Sequence, residues 1–438
     1  MLIMKFGGTS VGSPARIKEV GKLIANDQKK IVVLSAMSGA TNDLLEIAKD
    51  LYVKNHLEAN RKIDQLEMGY KKVVSELYDS KQFKEKAMEM VELHFNRLRA
   101  YTQDLFTIYE ERAVLALGEL ISTALLHYHL LEKGIDNALL PALNFMRIDK
   151  EGEPDEYYIR QNLEREMGTE KNSQLYITQG FICRNAYGEI DNLKRGGSDY
   201  TASIIGAILD ASEIQIWTDI DGFHNNDPRI VTETSAIARL SFEEAAELAY
   251  FGAKILHPSS VRPAREKNIP VRLKNTLNPK AQGTLLTSEE TGYGIKAIAA
   301  KDGITAIKIK SGRMLLAYGF MRKVFEIFET YKTSIDLITT SEVTVSLTIE
   351  DTTHLDEIVA DLSKYGSVEL DSDQTIICVV GNFISDSTGY ALKIFDSLKE
   401  IPIRMISYGG SRHNISILVD STYKTEALKS MHQSLFET

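Results

Sequence analysis

Short apolar runs alternate with amphipathic stretches along the first two-thirds of the chain. Five β-branched-rich runs have the length of buried strands: residues 1–6, 30–36, 176–183, 213–219 and 271–276. Helical spacing of apolar residues marks three further stretches, at 14–26, 201–209 and 240–255. Strands followed by a glycine turn and a helix are typical of doubly wound domains, whose ligands bind at the carboxyl ends of the strands. The pattern therefore predicts a doubly wound α/β domain with a mainly parallel sheet.

A long helical region interrupts this alternation. No proline occurs between Pro14 and Pro141, and Gly69 is the only glycine between Leu51 and Leu117. The composition predicts two or three long helices over about 51–130, forming a lid or side wall. No apolar run approaches the roughly 18 residues of a membrane span, so we expect none.

The C-terminal region repeats itself. Residues 319–325 (GFMRKVF) and 389–395 (GYALKIF) align at an offset of 389 − 319 = 70. Alternating apolar residues predict eight strands and four helices after Gly294, with strands at about 295–299, 303–310, 334–339, 343–349, 366–370, 375–381, 402–408 and 413–419. Residues 303–370 make one complete α+β, ferredoxin-like unit. The second, 375–438, lacks one strand, and we expect 295–299 to supply it by pairing with 375–381 or 413–419.

The first thirteen residues are a candidate phosphate site. Lys5 ends the first strand, and Gly7 and Gly8 allow a tight turn before the first helix. Free backbone N–H groups and a helix N-terminus can bind an anion there, and a lysine adds a point charge. The order differs from a Walker A loop, because the lysine precedes the glycines. The alternative is an edge strand with an exposed lysine and an ordinary turn.

Other polar residues stand at similar positions. Thr41 and Ser198–Asp199 lie in turns that open helices, where capping is the simpler explanation. Arg195 stands beside two glycines, which suits a carboxylate or phosphate. Glu119 is the lone acid of an apolar helical segment. Such a carboxylate is either paired or holds a cationic group of a ligand.

The composition limits the kinds of molecule that the protein is expected to bind and the compartment in which it is expected to work. The formal charge of −10 and the pI near 5.5 argue against nucleic acid or an anionic membrane as partners. Cys183 and Cys378, the two cysteines, are too few for a disulfide framework or metal cluster. Buried free thiols in a reducing cytosol, and hence a cytoplasmic protein, are expected.

Taken together, the chain resembles the aspartate kinases, in the single-function form with two regulatory ACT domains. The catalytic half carries this resemblance in residues 5–11 (KFGGTSV), 35–42 (SAMSGATN), 117–119 (LGE), 178–181 (TQGF), 195–199 (RGGSD), 217–219 (WTD), 227–229 (DPR) and 251–258 (FGAKILHP). Residues 334–343 (SIDLITTSEV) and 379–381 (VVG) carry it in the regulatory half. The match runs in order along essentially the whole chain.

The resemblance implies a three-layer amino-acid-kinase domain over 1–290, followed by two ACT domains. It implies transfer of a phosphoryl group from Mg²⁺-bound ATP to the β-carboxylate of L-aspartate, the first step of lysine, threonine and methionine biosynthesis. Lys5 and Asp199 match the catalytic positions. Substrate-holding positions match Thr41, Glu119, Arg195 and Ser198, with Glu119 facing the α-amino group and Arg195 the α-carboxylate. Nucleotide-binding positions match Gly7, Gly8, Ser10, Thr218, Asp219, Arg229 and Lys254. The magnesium ion is carried by the nucleotide, with no protein metal site.

The resemblance also implies feedback control. An amino-acid effector, L-lysine first and L-threonine as the alternative, would bind where ACT domains of two subunits meet, in a homodimer or a dimer of dimers. The matching positions are Gly319, Phe320, Met321, Ile335, Asp336, Ser341 and Glu342. Asp336 and Glu342 supply two carboxylates for two amino groups. Alternatively, both are ordinary solvated turn residues.

Two departures and two rival interpretations stand beside this. Many relatives have Gly where Lys194 stands and Tyr where His224 stands. His224 puts an aromatic contact to the nucleotide in doubt. A second enzyme hypothesis is an amino-acid kinase for glutamate, acetylglutamate or a nucleotide. A third hypothesis is an effector-binding protein that kept the fold and lost catalysis, which the intact Lys5 and Asp199 disfavour.

Overall fold

The structure is a computed structural model that describes residues 1–103, 105–169, 173–193, 196–253, 255–289, 292–312, 318–382 and 388–437. The chain divides into two compact units, Met1–Gly222 with Leu256–Ser288, and Phe223–Ile255 with Glu289–Thr438. Residues 223–255, which we placed in the catalytic domain, group with the C-terminal residues. Our boundaries 1–290, 303–370 and 295–299 plus 375–438 stay a prediction.

The strands, in chain order, are β1 (Leu2–Phe6), β2 (Lys30–Leu34), β3 (Ala138–Leu140), β4 (Leu175–Gln179), β5 (Ile182–Arg184), β6 (Ile190–Asn192), β7 (Glu213–Thr218), β8 (Arg239–Ser241), β9 (Val271–Asn275), β10 (Thr284–Thr287), β11 (Gly294–Lys310), β12 (Ile338–Thr340), β13 (Thr344–Ile349), β14 (Ser367–Asn382), β15 (Ile403–Tyr408) and β16 (Asn414–Asp420). The helices are α1 (Pro14–Ile24), α2 (Ala40–Tyr52), α3 (His56–Leu77), α4 (Lys81–Ala100), α5 (Ile108–Glu132), α6 (Ala142–Phe145), α7 (Glu156–Thr169), α8 (Gly197–Ile208), α9 (Phe242–Tyr250), α10 (Arg262–Glu266), α11 (Phe320–Thr330), α12 (Leu355–Leu362), α13 (Tyr390–Asp396) and α14 (Lys424–Phe436).

The first unit is built on a mainly parallel sheet with the order β3-β4-β2-β1-β7-β9-β10. All of these neighbours are parallel except β9 and β10. Leu2, Met4 and Phe6 pack in one core with apolar residues of α1–α5. Lys5 projects from the other face of β1, where α8 packs, because alternate strand residues point to opposite faces. The predicted α/β class and parallel sheet are confirmed, and β1 is a central strand rather than an edge.

The predicted helical region is α3, α4 and α5. Helix α5 is long and apolar enough, by length and composition, to cross a membrane, contrary to our expectation that no segment would be. Its apolar window is 78% buried inside the protein, as is typical of a core helix.

The second unit contains a six-stranded antiparallel sheet with the order β12-β13-β11-β14-β16-β15. Strands β11 and β14 each run through two predicted strands, so the eight strands that we counted are six. The predicted pairing is confirmed, because Ile298 and Ala299 lie opposite Val379 and Cys378.

Two separate apolar cores lie along this shared sheet. Ile298 belongs to the core of α13 and α14, and Ile307 to the core of α11 and α12, although both residues are on β11. Between them the pairing of β11 with β14 shifts register from Lys301 to Ile304, and Gly303 has a φ of +75°. The charged sequence there reads as a turn, but the structure accommodates it as an irregularity within one strand. The repeat is real: Gly319 and Gly389, both left-handed, precede the first residues of α11 and α13.

Helix α9 is shorter than predicted. Residues 239–241 form strand β8, and the helix ends at Tyr250 rather than continuing to residue 255. Ser241 and Glu244 make a reciprocal capping box at its start, which fixes where the helix begins.

Candidate active site

An ion pair stands at the carboxyl end of β1. Lys5 Nζ lies 2.7 Å from Asp199 Oδ1, and the two side chains are 12% and 14% exposed. Lys5 is thus mostly shielded from water, which excludes the alternative of an exposed edge lysine. At this low exposure the two charges interact more strongly than an exposed pair would.

The glycine turn lies directly against this ion pair and the end of β2. A Cβ at Gly7 would stand 3.6 Å from Lys5 Nζ, and one at Gly8 would stand 2.9 Å from the carbonyl oxygen of Ala36. The backbone is therefore close to both the ammonium and the end of β2. Ser10, the third predicted nucleotide residue of this loop, is buried and its hydroxyl lies 2.7 Å from that of Thr276.

Glu119 provides a second carboxylate, which, unlike that of Asp199, has no cation in contact with it among the described residues. Its side chain is buried, and Oε1 accepts a hydrogen bond from the backbone N–H of Ala36 at 3.1 Å. Oε2 is buried and has no hydrogen-bond partner among the described residues. Burial raises the pKa of Glu119 to about 8, an effect that the Ala36 N–H and the Lys5 charge partly oppose. A carboxylate in this condition is suited to a cationic group of a ligand.

Small residues bring α5 up to the end of β2. A Cβ at Gly118 would stand 2.6 Å from the Cβ of Ala36, so only glycine fits there. The Ser122 hydroxyl donates to the Ser35 carbonyl at 2.7 Å. This close packing holds Glu119 beside the residues that follow β2.

The turn after β4 and the start of α8 form the facing wall. Phe181 adopts a left-handed φ of +68°, which costs energy for a residue with a side chain. Its N–H donates to the Thr201 hydroxyl at 3.0 Å, and Gly197 packs against its ring. Ser198 is buried in the first turn of α8. The TQGF sequence marks this turn, but the strained residue within it has no sequence signal of its own and was not predicted.

The capping explanation fails for three predicted site residues. Helix α8 begins after Gly196 and α2 after Gly39, both left-handed, and neither helix has a side-chain cap at its start. Ser198, Asp199 and Thr41 are therefore not N-caps. They occupy the first turns of their helices and leave their side chains for another use.

The predicted nucleotide residues divide between the units. Thr218 ends β7, with its hydroxyl donating to Asp219 at 3.1 Å, and both belong to the first unit. Arg229 lies in the second unit, where its guanidinium donates twice to Asp227, at 2.9 and 2.7 Å. His224 contacts the hydroxyl of Thr234 at 3.0 Å. Lys194, Arg195 and Lys254 lie outside the described residues.

Strand register explains why the first-unit residues meet. Phe6 pairs with Leu34 and Trp217, Leu34 with Gln179, and Thr218 with Asn275. The loops that follow these parallel strands therefore leave the sheet at one edge. The ends of these strands and the loops after them carry the glycine turn, Ala36 next to Glu119, and Thr218 with Asp219. Such a grouping is expected for a ligand site of a doubly wound sheet.

The predicted effector residues lie in the second unit. Gly319 precedes α11, while Phe320 and Met321 form its first turn. Ser341 and Glu342 are exposed in the turn between β12 and β13, and Ile335 is half-buried. The Asp336 side chain is only 2% exposed, so the alternative of a solvated turn residue is wrong for Asp336.

Comparison with known proteins identifies the family. Residues 1–275 match the amino acid kinase family and residues 377–435 an ACT domain. Lysine-sensitive aspartokinase 3 of Escherichia coli is 32% identical over 100% of this chain and 99% of its own. The chain belongs to the aspartokinase family. Chloroplastic aspartokinase 3 of Arabidopsis thaliana is 36% identical over 100% of this chain and 82% of its own.

A solved structure of that family matches the enzyme along its whole length. The structure of E. coli aspartokinase III in complex with aspartate and ADP covers 100% of both chains with a TM-score of 0.83 and 32% identity. The enzyme is an aspartate kinase, as the sequence resemblance implied, and the interpretation as a binding protein without catalysis is set aside.

Replacing Lys5 separates catalysis from stability. Lys5→Met is expected to lower turnover about 100-fold or more, because it removes the cation beside the glycine turn. It also leaves Asp199 without its partner, so the variant should melt below the wild type. Lys5→Met with Asp199→Asn should recover melting temperature but not turnover, as measured by ADP release and thermal unfolding. Near-normal turnover of Lys5→Met would contradict a catalytic role.

Glu119→Gln tests the buried carboxylate. Because the pKa is raised to about 8, the folded enzyme keeps this proton where the unfolded chain loses it, and stability should fall as pH rises from about 5 to 8. The ionised form is the one that binds an ammonium, so the KM for aspartate should fall over the upper part of this range.

Glu119→Gln should abolish both trends and raise the KM for aspartate far more than that for ATP. The control is Glu76→Gln, which changes an exposed glutamate of α3. Equal effects on both substrates would instead indicate a packing defect of α5.

Proposed function

We propose that the enzyme transfers the γ-phosphoryl group of ATP to the β-carboxylate of L-aspartate, giving 4-phospho-L-aspartate and ADP, with Lys5 and Asp199 at the point of transfer. The Lys5–Asp199 pair beside the Gly7–Gly8 turn carries this proposal. The complex of the E. coli relative with aspartate and ADP supports the same substrates here.

The bond changes need charge neutralisation rather than a base. A β-carboxylate oxygen bonds to the γ-phosphorus while the bond from that phosphorus to the β–γ bridging oxygen breaks, and ADP leaves with the electron pair. The carboxylate is already ionised at neutral pH, so no proton moves. Lys5 stabilises the charge on the transferring group, and Asp199 holds Lys5 in place.

Glu119 is the proposed partner of the substrate's α-ammonium. Its Oε2 is the buried oxygen that the described residues leave without a hydrogen bond. Thr41 and Ser198 would contact aspartate from the first turns of α2 and α8. Arg195, which lies outside the described residues, would bind the α-carboxylate.

The nucleotide would be held at the turn of Gly7, Gly8 and Ser10 and by Thr218, Asp219, Arg229 and Lys254. The N–H of Gly7 donates to the carbonyl oxygen of Trp217 at 3.1 Å, so a backbone donor to the phosphates would come from Gly8. Both the hydroxyl and the backbone N–H of Ser10 already bond within the protein, to the Thr276 hydroxyl and the Gly7 carbonyl, so Ser10 would shape the turn rather than donate to the nucleotide. The described residues form no group of three metal-binding side chains. A magnesium ion would be held mainly by phosphate oxygens and water, and when bound it would supply further positive charge.

Trapping the product tests this function. With aspartate and ATP, added hydroxylamine should convert an acyl phosphate into the β-hydroxamate of aspartate, one for each ADP released. Glutamate and acetylglutamate, the substrates of the rival hypothesis, should give neither ADP nor hydroxamate above background. ADP release without hydroxamate, or a preference for glutamate, would refute the proposal.

Feedback inhibition by L-lysine is the regulatory part of the proposal. The exposed Glu342 and the first turn of α11 offer a carboxylate and free N–H groups. The full-length E. coli relative is described as lysine-sensitive. Threonine is the alternative effector and would need only one carboxylate. We also propose a cytoplasmic homo-oligomer assembled through the ACT domains, since β12 and β15 are the outer strands of their sheet.

Glu342→Gln provides the test of this site. It removes an exposed charge without disturbing the core, so uninhibited turnover should stay within about twofold of wild type. The concentration of lysine that halves turnover should rise about tenfold, the loss of one charged hydrogen bond. The control is Glu326→Gln, on the exposed surface of α11. Inhibition by threonine but not by lysine would show that threonine, not lysine, is the effector. Unchanged inhibition by lysine in Glu342→Gln would show that Glu342 is not part of the effector site.

A further inference from the structure

One face of α9 is bonded to the regulatory sheet at three points. Glu244 lies 2.8 Å from Lys296 Nζ, Glu247 accepts from the hydroxyl of Ser411 at 2.7 Å, and the Tyr250 hydroxyl donates to Asp336 at 2.8 Å. Residues three positions apart share one side of a helix. Helix α9 is thereby fixed against both halves of the sheet within the second unit.

The third contact belongs to a small cluster around the buried carboxylate of Asp336, in which Tyr250 and Glu350 are partly exposed. Lys301 Nζ lies 2.9 Å from Asp336 Oδ1 and 3.0 Å from Glu350 Oε2. It also stands 4.5 Å from the centre of the Tyr250 ring, within cation–π range. The Asp336 and Lys301 side chains are 2% and 11% exposed. We refer to Tyr250, Lys301, Asp336 and Glu350 as the tether.

The tether includes the carboxylate of Asp336, which the resemblance to the aspartate kinases matches to the effector site. Asp336 Oδ1 already accepts from Tyr250 and Lys301. Oδ2 is buried and has no hydrogen-bond partner among the described residues. A free amine can reach this carboxylate only if the tether opens. The closed tether and an effector bound to Asp336 therefore exclude one another.

The tether also lies against the chain that leaves α9. Gly252 has a φ of +125°, and a Cβ there would stand 2.1 Å from the Ala300 carbonyl oxygen, next to Lys301. Such close contact means that the chain after Tyr250 and the chain before Lys301 cannot move independently. The same unit holds Arg229, a predicted nucleotide contact, through a loop in which Asn225 accepts from the backbone of Ile298 on β11.

We propose that Tyr250 and Lys301 are positioning residues that hold α9 against the sheet of the second unit and compete with an amino-acid effector for Asp336. This inference rests on the proposed effector site. Effector binding opens the tether and releases the end of α9, in the same unit as Arg229, the proposed nucleotide contact. We therefore expect the effector to change the KM for ATP rather than that for aspartate. The effector can shift this equilibrium only by its preference for the open state.

Tyr250→Phe removes one hydroxyl and keeps the ring over Lys301. Without effector, the KM for ATP should rise severalfold while the KM for aspartate stays unchanged. The Kd for L-lysine, measured by calorimetry, should fall by up to about tenfold, because the closed state no longer competes. Added lysine should then cause less further inhibition than in the wild type.

The matched control is Tyr331→Phe, which removes a hydroxyl that donates to Asp361 at 2.9 Å, in the same unit but away from α9. It should leave both KM values and the Kd for lysine unchanged. Thermal unfolding of both variants shows that each is folded.

The outcomes separate the two proposals. If neither lysine nor threonine binds the wild type, the proposed effector site is wrong. The KM values of Tyr250→Phe for ATP and aspartate would still test whether the tether positions α9. An unchanged KM for ATP in Tyr250→Phe, an equal rise in both KM values, or weaker lysine binding than in the wild type would overturn the tether.

Discussion

The candidate active site of the first unit depends on how the charges of its buried side chains are balanced. Lys5 and Asp199 neutralise one another at 2.7 Å, whereas Glu119 has a backbone N–H and no cation in contact among the described residues. A buried carboxylate without a cation is costly, and its pKa of about 8 expresses that cost as a retained proton. This pKa keeps Glu119 mostly neutral near pH 7 without a ligand. In the proposed function the α-ammonium of aspartate would provide the missing charge, and the site would distinguish an amino acid from a simple carboxylate in this way.

The fold makes this arrangement possible through parallel strands that end together. The loops after β1, β2, β4 and β7 leave the sheet at one edge, so side chains far apart in sequence meet there. Small residues set the distances: Gly118 lets α5 contact Ala36, and Gly197 lets α8 contact Phe181. In the second unit, the two long strands β11 and β14 contribute to two separate apolar cores. Lys301 lies at the irregularity between these cores.

Much of this could be predicted because the signals are local. Apolar runs indicated the strands, and a lone acid in an apolar helix indicated Glu119. Long-range contacts carried no such signal. Nothing in the sequence showed that the carboxylate of Asp336 would accept a hydrogen bond from Tyr250, 86 residues away. Nor did a charged lysine at the start of β2 suggest that Lys30 is fully buried, where it donates to the carbonyl of Ile24 at 2.9 Å. Strands β11 and β14 were each divided in two because their polar centres resemble turns, whereas pairing with neighbouring strands keeps them continuous.

Proton release on binding tests the account most directly. Calorimetric titration of the enzyme with aspartate, in two buffers of different ionisation enthalpy, measures the protons released for each ligand bound. With Glu119 protonated in the free enzyme and ionised against the ammonium, release should approach one proton near pH 7 and fall away above pH 8, about the pKa of the free enzyme. Glu119→Gln should release none. Aspartate binding without proton release in the wild type near pH 7 would contradict the account, because Glu119 would then be ionised before its partner arrives.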